Sequence, residues 1–215
     1  MFHDRREAGE LLARELLHLR DGDPVVLGLP RGGVAVGHAI ASVLGAPLDT
    51  VLVRKIGAPW QPELAIGAIA DSGTPEILID DAVVREFDIP TDYLQAETAR
   101  QIGEIERRRQ AYCAGRPSVP IEGRTAIVVD DGIATGATMR VALRAVRHRD
   151  PARLVLAVPV AARQTLAALR GEVDEAVCLE ATADLGAIGY YYDDFHQMTD
   201  REVIDLLAEA TVAAR

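Results

Sequence analysis

The sequence predicts an α/β fold: a mainly parallel twisted sheet with helices on both faces, plus a small hood or lid region. Three observations predict it. Short apolar runs at residues 25–29, 125–129 and 154–160 suit strands buried on both faces. Each run is followed by a turn and a stretch with helical character, and strand-helix units in series build parallel sheets. The 215 residues, 49% hydrophobic and 26% charged, suffice for one domain with a real core and contain no low-complexity stretch.

Residues 5–19 open the chain as an amphipathic helix, since Ala8, Leu11, Leu12, Leu16 and Leu19 share one stripe before Asp21-Gly22-Asp23-Pro24 breaks it. The run 25–29 is a strand, Pro30-Arg31-Gly32-Gly33 a turn, and a small-residue helix continues to about Leu44. Residues 48–53 read as a second buried strand ending at Arg54-Lys55, and 64–70 with 76–79 as short strands or a hairpin. Residues 92–111 are helical by propensity and lead to the linker Gly115-Arg116-Pro117-Ser118-Val119-Pro120. The region 81–120 is expected to be an excursion from the sheet and a surface for a homodimer. Strand 125–129 feeds the turn 130–138 and a helix to about Arg147, followed by strand 154–160, helix 164–169 and strand 175–179. Residues 200–213 close the chain as a helix, with Thr199 as N-cap and Glu202 at the capping-box position. The whole of 1–215 reads as a single domain.

The formal net charge is −10 with scattered basic residues, which argues against nucleic acid as a partner. An anionic ligand would then need a locally positive pocket of backbone N–H groups, a few Arg or Lys, and a metal. Cys113 and Cys178 form no zinc pattern and read as reduced thiols. No stretch reaches the ~18 apolar residues of a membrane span and the N-terminus lacks the order of a signal peptide, so a cytoplasmic location without a membrane partner is expected.

The segment Val128-Val129-Asp130-Asp131-Gly132-Ile133-Ala134-Thr135-Gly136-Ala137-Thr138 carries the chemistry. It places two acids at the carboxyl end of a strand, where ligands of open α/β sheets bind. The loop of Gly, Ala and Thr lets backbone N–H groups converge, and the following helix N-terminus favours a phosphate. Thr135 and Thr138 add hydroxyl donors, while ionised Asp130 and Asp131 accept hydrogen bonds from a sugar's hydroxyl pair. An acid pair alone would also suit an ordinary strand end and helix cap; the conjunction in one run reads as a ribose phosphate holder.

Residues 128–138 resemble the phosphoribosyl pyrophosphate (PRPP) signature of type I phosphoribosyltransferases. Leu29-Pro30-Arg31-Gly32-Gly33 resembles the pyrophosphate loop of that family, and the basic pair Arg54-Lys55 agrees with it. The stretches RKIGAPWQPELAIGAIADSG and YYYDDFHQMTDREV are similar to a bacterial branch of the family sometimes joined to hydrolase domains. The resemblance implies that Asp130 and Asp131 hold the ribose hydroxyls and act as the catalytic pair. Gly132, Ala134, Thr135, Gly136, Ala137 and Thr138 would hold the 5′-phosphate, and Arg31, Gly32, Gly33, Arg54 and Lys55 the pyrophosphate. In the enzymes this chain resembles, a non-proline cis peptide often occurs in the loop 29–33, whose glycines ease such a backbone, and the resemblance implies Mg2+ held mainly by PRPP and water. The implied activity is transfer of phosphoribose to a nitrogenous, nucleobase-like acceptor with release of pyrophosphate.

A hood contributed by about 181–200 is expected to select the unknown small-molecule acceptor, with Tyr191, Tyr192 and Phe195, beside Tyr190, as stacking candidates and Trp60 as another. Arg107-Arg108-Arg109 reads as a solvated helix face, or as an arm reaching PRPP, and His196 lies beside the hood without being assigned as a base. Two other functions stay open: a PRPP-sensing regulatory module, and a phosphosugar hydrolase on the same fold.

Overall fold

The structure is a computed structural model describing residues 1–71, 75–113 and 118–213. Its centre is a five-stranded parallel sheet of β1 (Pro24–Gly28), β2 (Leu48–Thr50), β6 (Thr125–Val129), β7 (Arg153–Ala162) and β8 (Glu175–Thr182), in the order β2-β1-β6-β7-β8. Every residue of β1 and β6 is buried, which is why these runs are apolar without alternation. The expected mainly parallel sheet is what forms.

Helices cover both faces. On one, α1 (Arg5–Glu15), α2 (Gly32–Leu44), α4 (Thr91–Cys113) and α7 (Asp200–Ala213) pack over Val26, Ile127 and Val155, burying Leu12, Ile40, Ile105 and Leu207. On the other, α5 (Ala137–Arg147) and α6 (Arg163–Leu169) cover Leu27, Val128 and Leu156 through Met139, Leu143 and Leu166. Neighbouring strand residues such as Leu27 and Val26 serve opposite cores because side chains alternate along a strand.

The opening helix is shorter than its stripe suggests. It ends at Glu15, and residues 17–19 form a 3-10 turn that still buries Leu19 beside the buried Leu16. At its start, the Asp4 carboxylate accepts a hydrogen bond from the Glu7 amide. At its far end α2 is closed by Gly45 at φ +68°, the left-handed position that glycine fills without strain.

The expected strand 48–53 divides. Residues 48–50 pair with β1, whereas β3 (Leu52–Ala58) turns into a second sheet with β4 (Gln61–Asp71) and β5 (Pro75–Ile79), antiparallel in the order β3-β4-β5. The Val51 amide still bonds to the Gly28 carbonyl, so the change of sheet occurs within one residue. Arg54 and Lys55 consequently lie inside a strand rather than after one. The hairpin expected from 64–70 and 76–79 is present as β4 and β5.

After the short α3 (Asp81–Glu86), the long α4 lies against β3 and α7, with Ile105 and Tyr112 in the core and the Tyr112 hydroxyl donating to Asp200 at 2.7 Å. The linker residues 114–117 lie outside the described residues. Thr199 and Glu202 form the expected capping box of α7: Glu202 Oε2 accepts from the Thr199 amide at 2.7 Å and Thr199 Oγ1 from the Glu202 amide at 3.2 Å. No helix of the described residues is long and apolar enough to cross a membrane.

Candidate active site

The acid pair follows β6 directly, at the carboxyl edge of the parallel sheet. Asp130 Oδ1 accepts from the Asp131 amide at 2.9 Å, which turns the chain away from the strand. The next residues are braced from below. The Ile133 amide bonds to the Val160 carbonyl, the Ala162 amide to the Ile133 carbonyl, each at 2.9 Å, and the Thr165 hydroxyl donates to the Ala134 carbonyl at 2.7 Å. Ala134, Thr135, Ala137 and Thr138 are exposed on top of this support, while Gly132 and Gly136 are buried in it.

Both buried glycines are required by close approach. A Cβ on Gly132 would lie 2.6 Å from the Ile188 side chain, and one on Gly136 would lie 2.4 Å from Thr165 at a backbone φ of +76°. Gly136 is the N-cap of α5 and no side chain caps that end. The first amides of α5 therefore face the exposed loop with the positive end of the helix dipole behind them, an arrangement suited to an anion.

The expected turn at 30–33 is tighter than predicted, because α2 already begins at Gly32. The Pro30–Arg31 peptide is cis, a non-proline cis bond within the loop where such a bond often occurs in the proteins the sequence resembles. A Cβ on Gly33 would sit 2.5 Å from the Val129 carbonyl, and one on Gly32 would sit 1.9 Å from Asp131 Oδ2. These glycines bring the start of α2 into direct contact with the acid pair. Arg31 is exposed and 3.8 Å from Asp200.

Asp130 is pushed well above the usual carboxylate range, first by burial among protein atoms and second by the charge of Asp131; the Asp131 amide and Arg5 oppose the shift. Asp131 Oδ2 accepts from Arg5 Nε at 2.8 Å, both side chains being largely buried. The Tyr192 hydroxyl donates to the Asp131 carbonyl at 2.6 Å, and burial raises its own pKa. Sequence reasoning missed Arg5. The available signal was its spacing, since Arg5, Ala8 and Leu12 fall on one buried helix face.

The hood residues divide. Tyr192 is buried, with Phe195 stacked on it at 5.0 Å and Phe2 tilted against it at 5.4 Å, so its ring is packed rather than open to an acceptor. Phe195 lies between Tyr192 and the Arg5 guanidinium. Tyr190 is 76% exposed, and the Tyr191 hydroxyl donates to the Asp184 carbonyl. Trp60 is exposed at the β3–β4 turn. The His196 ring is held by Glu202 at 2.9 Å and Asp194 at 3.3 Å, and these hydrogen bonds raise its pKa, Glu202 most.

Arg54 and Lys55 point to opposite faces of β3. Arg54 donates to Gln101 at 2.9 Å and lines a cavity of about 30 Å³ with Pro30, Arg108 and Thr138. Lys55 lines a cavity of about 330 Å³ with Ala68, Asp80, Thr138, Arg140 and Arg144. Thr138 borders both. The basic run is solvated only in part: Arg107 is exposed and pairs with Glu104, whereas the half-buried Arg108 pairs with Glu104 and lines the Arg54 cavity, and the half-buried Arg109 reaches across to the buried Asp71 of β4.

Among the described residues no group of three or more His, Cys, Asp or Glu side chains converges on a metal position. Asp130 and Asp131 offer hard oxygen donors beside an N–H cradle, a set that fits magnesium carried chiefly by ligand phosphates and water.

The phosphoribosyl transferase domain family matches residues 3–194 of this chain. Two proteins of Mycobacterium tuberculosis, from strains CDC 1551 and H37Rv, both named "Putative phosphoribosyl transferase", are 43% identical to it over 210 residues. That match covers 98% of this chain and 47% of each relative, so the chain spans about half the length of these curated relatives. The crystal structure of TT1426 from Thermus thermophilus is similar with a TM-score of 0.84 and 44% identity, covering 97% of this chain and 98% of that one. With an acid pair, an open small-residue loop and a glycine-started helix gathered at one sheet edge, and with that match over nearly its whole length, this chain belongs to the phosphoribosyl transferase domain family.

Proposed function

We propose that this site binds PRPP with magnesium and transfers its phosphoribosyl group to a nitrogenous, nucleobase-like acceptor, releasing pyrophosphate. One observation carries the reading: the acid pair, the exposed loop and the uncapped start of α5 form a single braced run at the sheet's carboxyl edge.

In this reading the amides and hydroxyls of residues 132–138 take the 5′-phosphate. Asp130 and Asp131 take the ribose hydroxyls with complementary hydrogen-bonding character. Asp130, biased toward its protonated form, can donate, while a carboxylate oxygen of Asp131 accepts. The start of α2 and Arg31 receive the pyrophosphate, with Arg54 approaching beside Pro30 from one face of β3, whereas Lys55 on the opposite face stands in the separate cavity it shares with Arg140 and Arg144. The C1′–oxygen bond to pyrophosphate breaks with its electron pair leaving on the anion, positive charge grows on the sugar, and the acceptor nitrogen forms the new bond to C1′. The Asp131 carboxylate, the charged member of the pair, stabilises the cationic sugar electrostatically. Magnesium, when bound, neutralises phosphate charge.

The test is calorimetric titration of PRPP with magnesium at fixed salt into wild type, Asp130→Asn/Asp131→Asn, and Thr138→Glu, which places a negative charge at the exposed loop. Wild type should bind, with affinity lowered about tenfold or more in both variants. Absence of wild-type binding overturns the reading. One observation favours a second reading, a PRPP-binding module without transfer: Asp131 Oδ2 is already occupied by Arg5. Intact binding with no pyrophosphate release across a broad acceptor panel would select it.

A further inference from the structure

We propose that Arg5 is a positioning residue for ribose recognition, fixing the Asp131 carboxylate against the start of α2 and tying the segment before α7 to the same point. This rests on the reading of the acid pair as the ribose site.

Arg5 stands in the first turn of α1, where the positive end of the helix dipole disfavours a cation. It is also only 8% exposed, a costly setting for a guanidinium unless its donors are satisfied. Neither feature serves the helix, so the partners must explain them. Nε donates to Asp131 Oδ2 at 2.8 Å and Nη1 to the His196 carbonyl at 2.9 Å, while the guanidinium carbon lies 3.9 Å from the Phe195 ring centroid. Phe195 stacks on Tyr192, whose hydroxyl holds the Asp131 carbonyl. Arg5 and Tyr192 thus grip the side chain and the backbone of the same residue, and Phe195 spaces them.

The third side of this grip is α2. The point where a Gly32 Cβ would stand is 1.9 Å from Asp131 Oδ2 and 3.0 Å from Arg5 Nε. Carboxylate, guanidinium and helix backbone meet there without room for another group. With Oδ2 committed, Asp131 meets a ligand through its other oxygen in one fixed direction, which suits one ribose hydroxyl. Arg5 therefore affects ligands that carry the sugar far more than pyrophosphate, because it acts through the Asp131 carboxylate, which only a sugar hydroxyl meets, and touches the start of α2 without itself facing the pyrophosphate. Lysine cannot replace it fully, because an ammonium lacks the planar fork that spans Asp131 and His196.

The experiment titrates three probes, ribose 5-phosphate, PRPP with magnesium and inorganic pyrophosphate with magnesium, into the full chain as wild type, Arg5→Gln, Arg5→Lys and Phe195→Leu. Thermal unfolding of each variant checks the fold. Arg5→Gln should weaken both sugar-bearing probes by about tenfold and leave pyrophosphate within about twofold, with Arg5→Lys between it and wild type. If Arg5→Gln does not fold, Phe195→Leu keeps the ion pair but removes its platform, and should weaken the sugar probes about threefold with pyrophosphate again unchanged. Equal weakening of all three probes, or none, overturns the proposal while leaving the ribose site standing. A wild type that binds neither sugar-bearing probe overturns both.

Discussion

Asp130 is a residue whose setting opposes stability. Its raised pKa means that in the folded protein it holds a proton more tightly than in the unfolded chain. The stability linked to it is fully present below the ordinary aspartate pKa of about 4 and is lost as pH rises through the raised folded value. Asp130→Asn keeps an oxygen for the Asp131 amide and removes the titration. It should raise the melting temperature at pH 7 by a few degrees and leave it nearly unchanged at about pH 3, followed by thermal unfolding across pH. A variant that is less stable at neutral pH would contradict the burial argument. Gly136 makes the opposite case. Gly136→Ala meets both a left-handed backbone and the Thr165 side chain, so it should cost about 1–3 kcal/mol in denaturant unfolding and, on the proposed function, weaken PRPP binding as α5 shifts.

At the scale of elements, the site is assembled by contacts between helices distant in sequence. The Asp200 carboxylate at the start of α7 accepts from the Tyr112 hydroxyl near the end of α4 and faces Arg31 at the start of α2. Burial and the Asp200 hydrogen bond push the Tyr112 pKa up to about 12. Tyr112→Phe should cost about 1 kcal/mol, a fall of about 2–4 °C in melting temperature for a domain of this size. An unchanged transition would show that α4 is held by apolar packing alone. The division of 48–58 between two sheets belongs to this scale too. Because strand side chains alternate, Arg54 and Lys55 cannot address the same side of β3, so two adjacent cations serve two cavities that share Thr138.

Across the whole molecule, the two sheets differ in how they are covered. β1, β6 and β7 lie at the middle of the parallel sheet between helix layers, whereas β5 is an edge strand of the smaller sheet with half-buried and exposed residues. Hydrogen exchange followed by mass spectrometry should find amides of β1 and β6 the slowest and those of β5 among the fastest strand amides. The reverse order would contradict this layering. Residues 2–5 contribute to the site at the same scale: Phe2 pairs with the Tyr191–Asp193 backbone, and Arg5 reaches both Asp131 and the His196 carbonyl, joining the start of α1 to the acid pair and to the segment before α7.

The parallel sheet was legible because its strands are buried on both faces and therefore apolar throughout, and the acid pair with its loop was legible because all its parts are adjacent in sequence. The capping box of α7 was readable for the same reason of locality. What stayed hidden depends on distance along the chain. Whether Tyr192 faces an acceptor or packs on Phe2 and Phe195 is decided by which ring arrives beside it, and the burial of Arg5 by a carboxylate 126 residues away. Likewise, Gly32 and Gly33 read from sequence as turn residues, but the tertiary structure uses them to let a helix backbone touch the acids. Local patterns of burial and backbone freedom are written in neighbouring residues. The pairing of charges and rings across the fold is set only when hydrophobic packing brings separate elements together, and that packing decides how the acid pair is held.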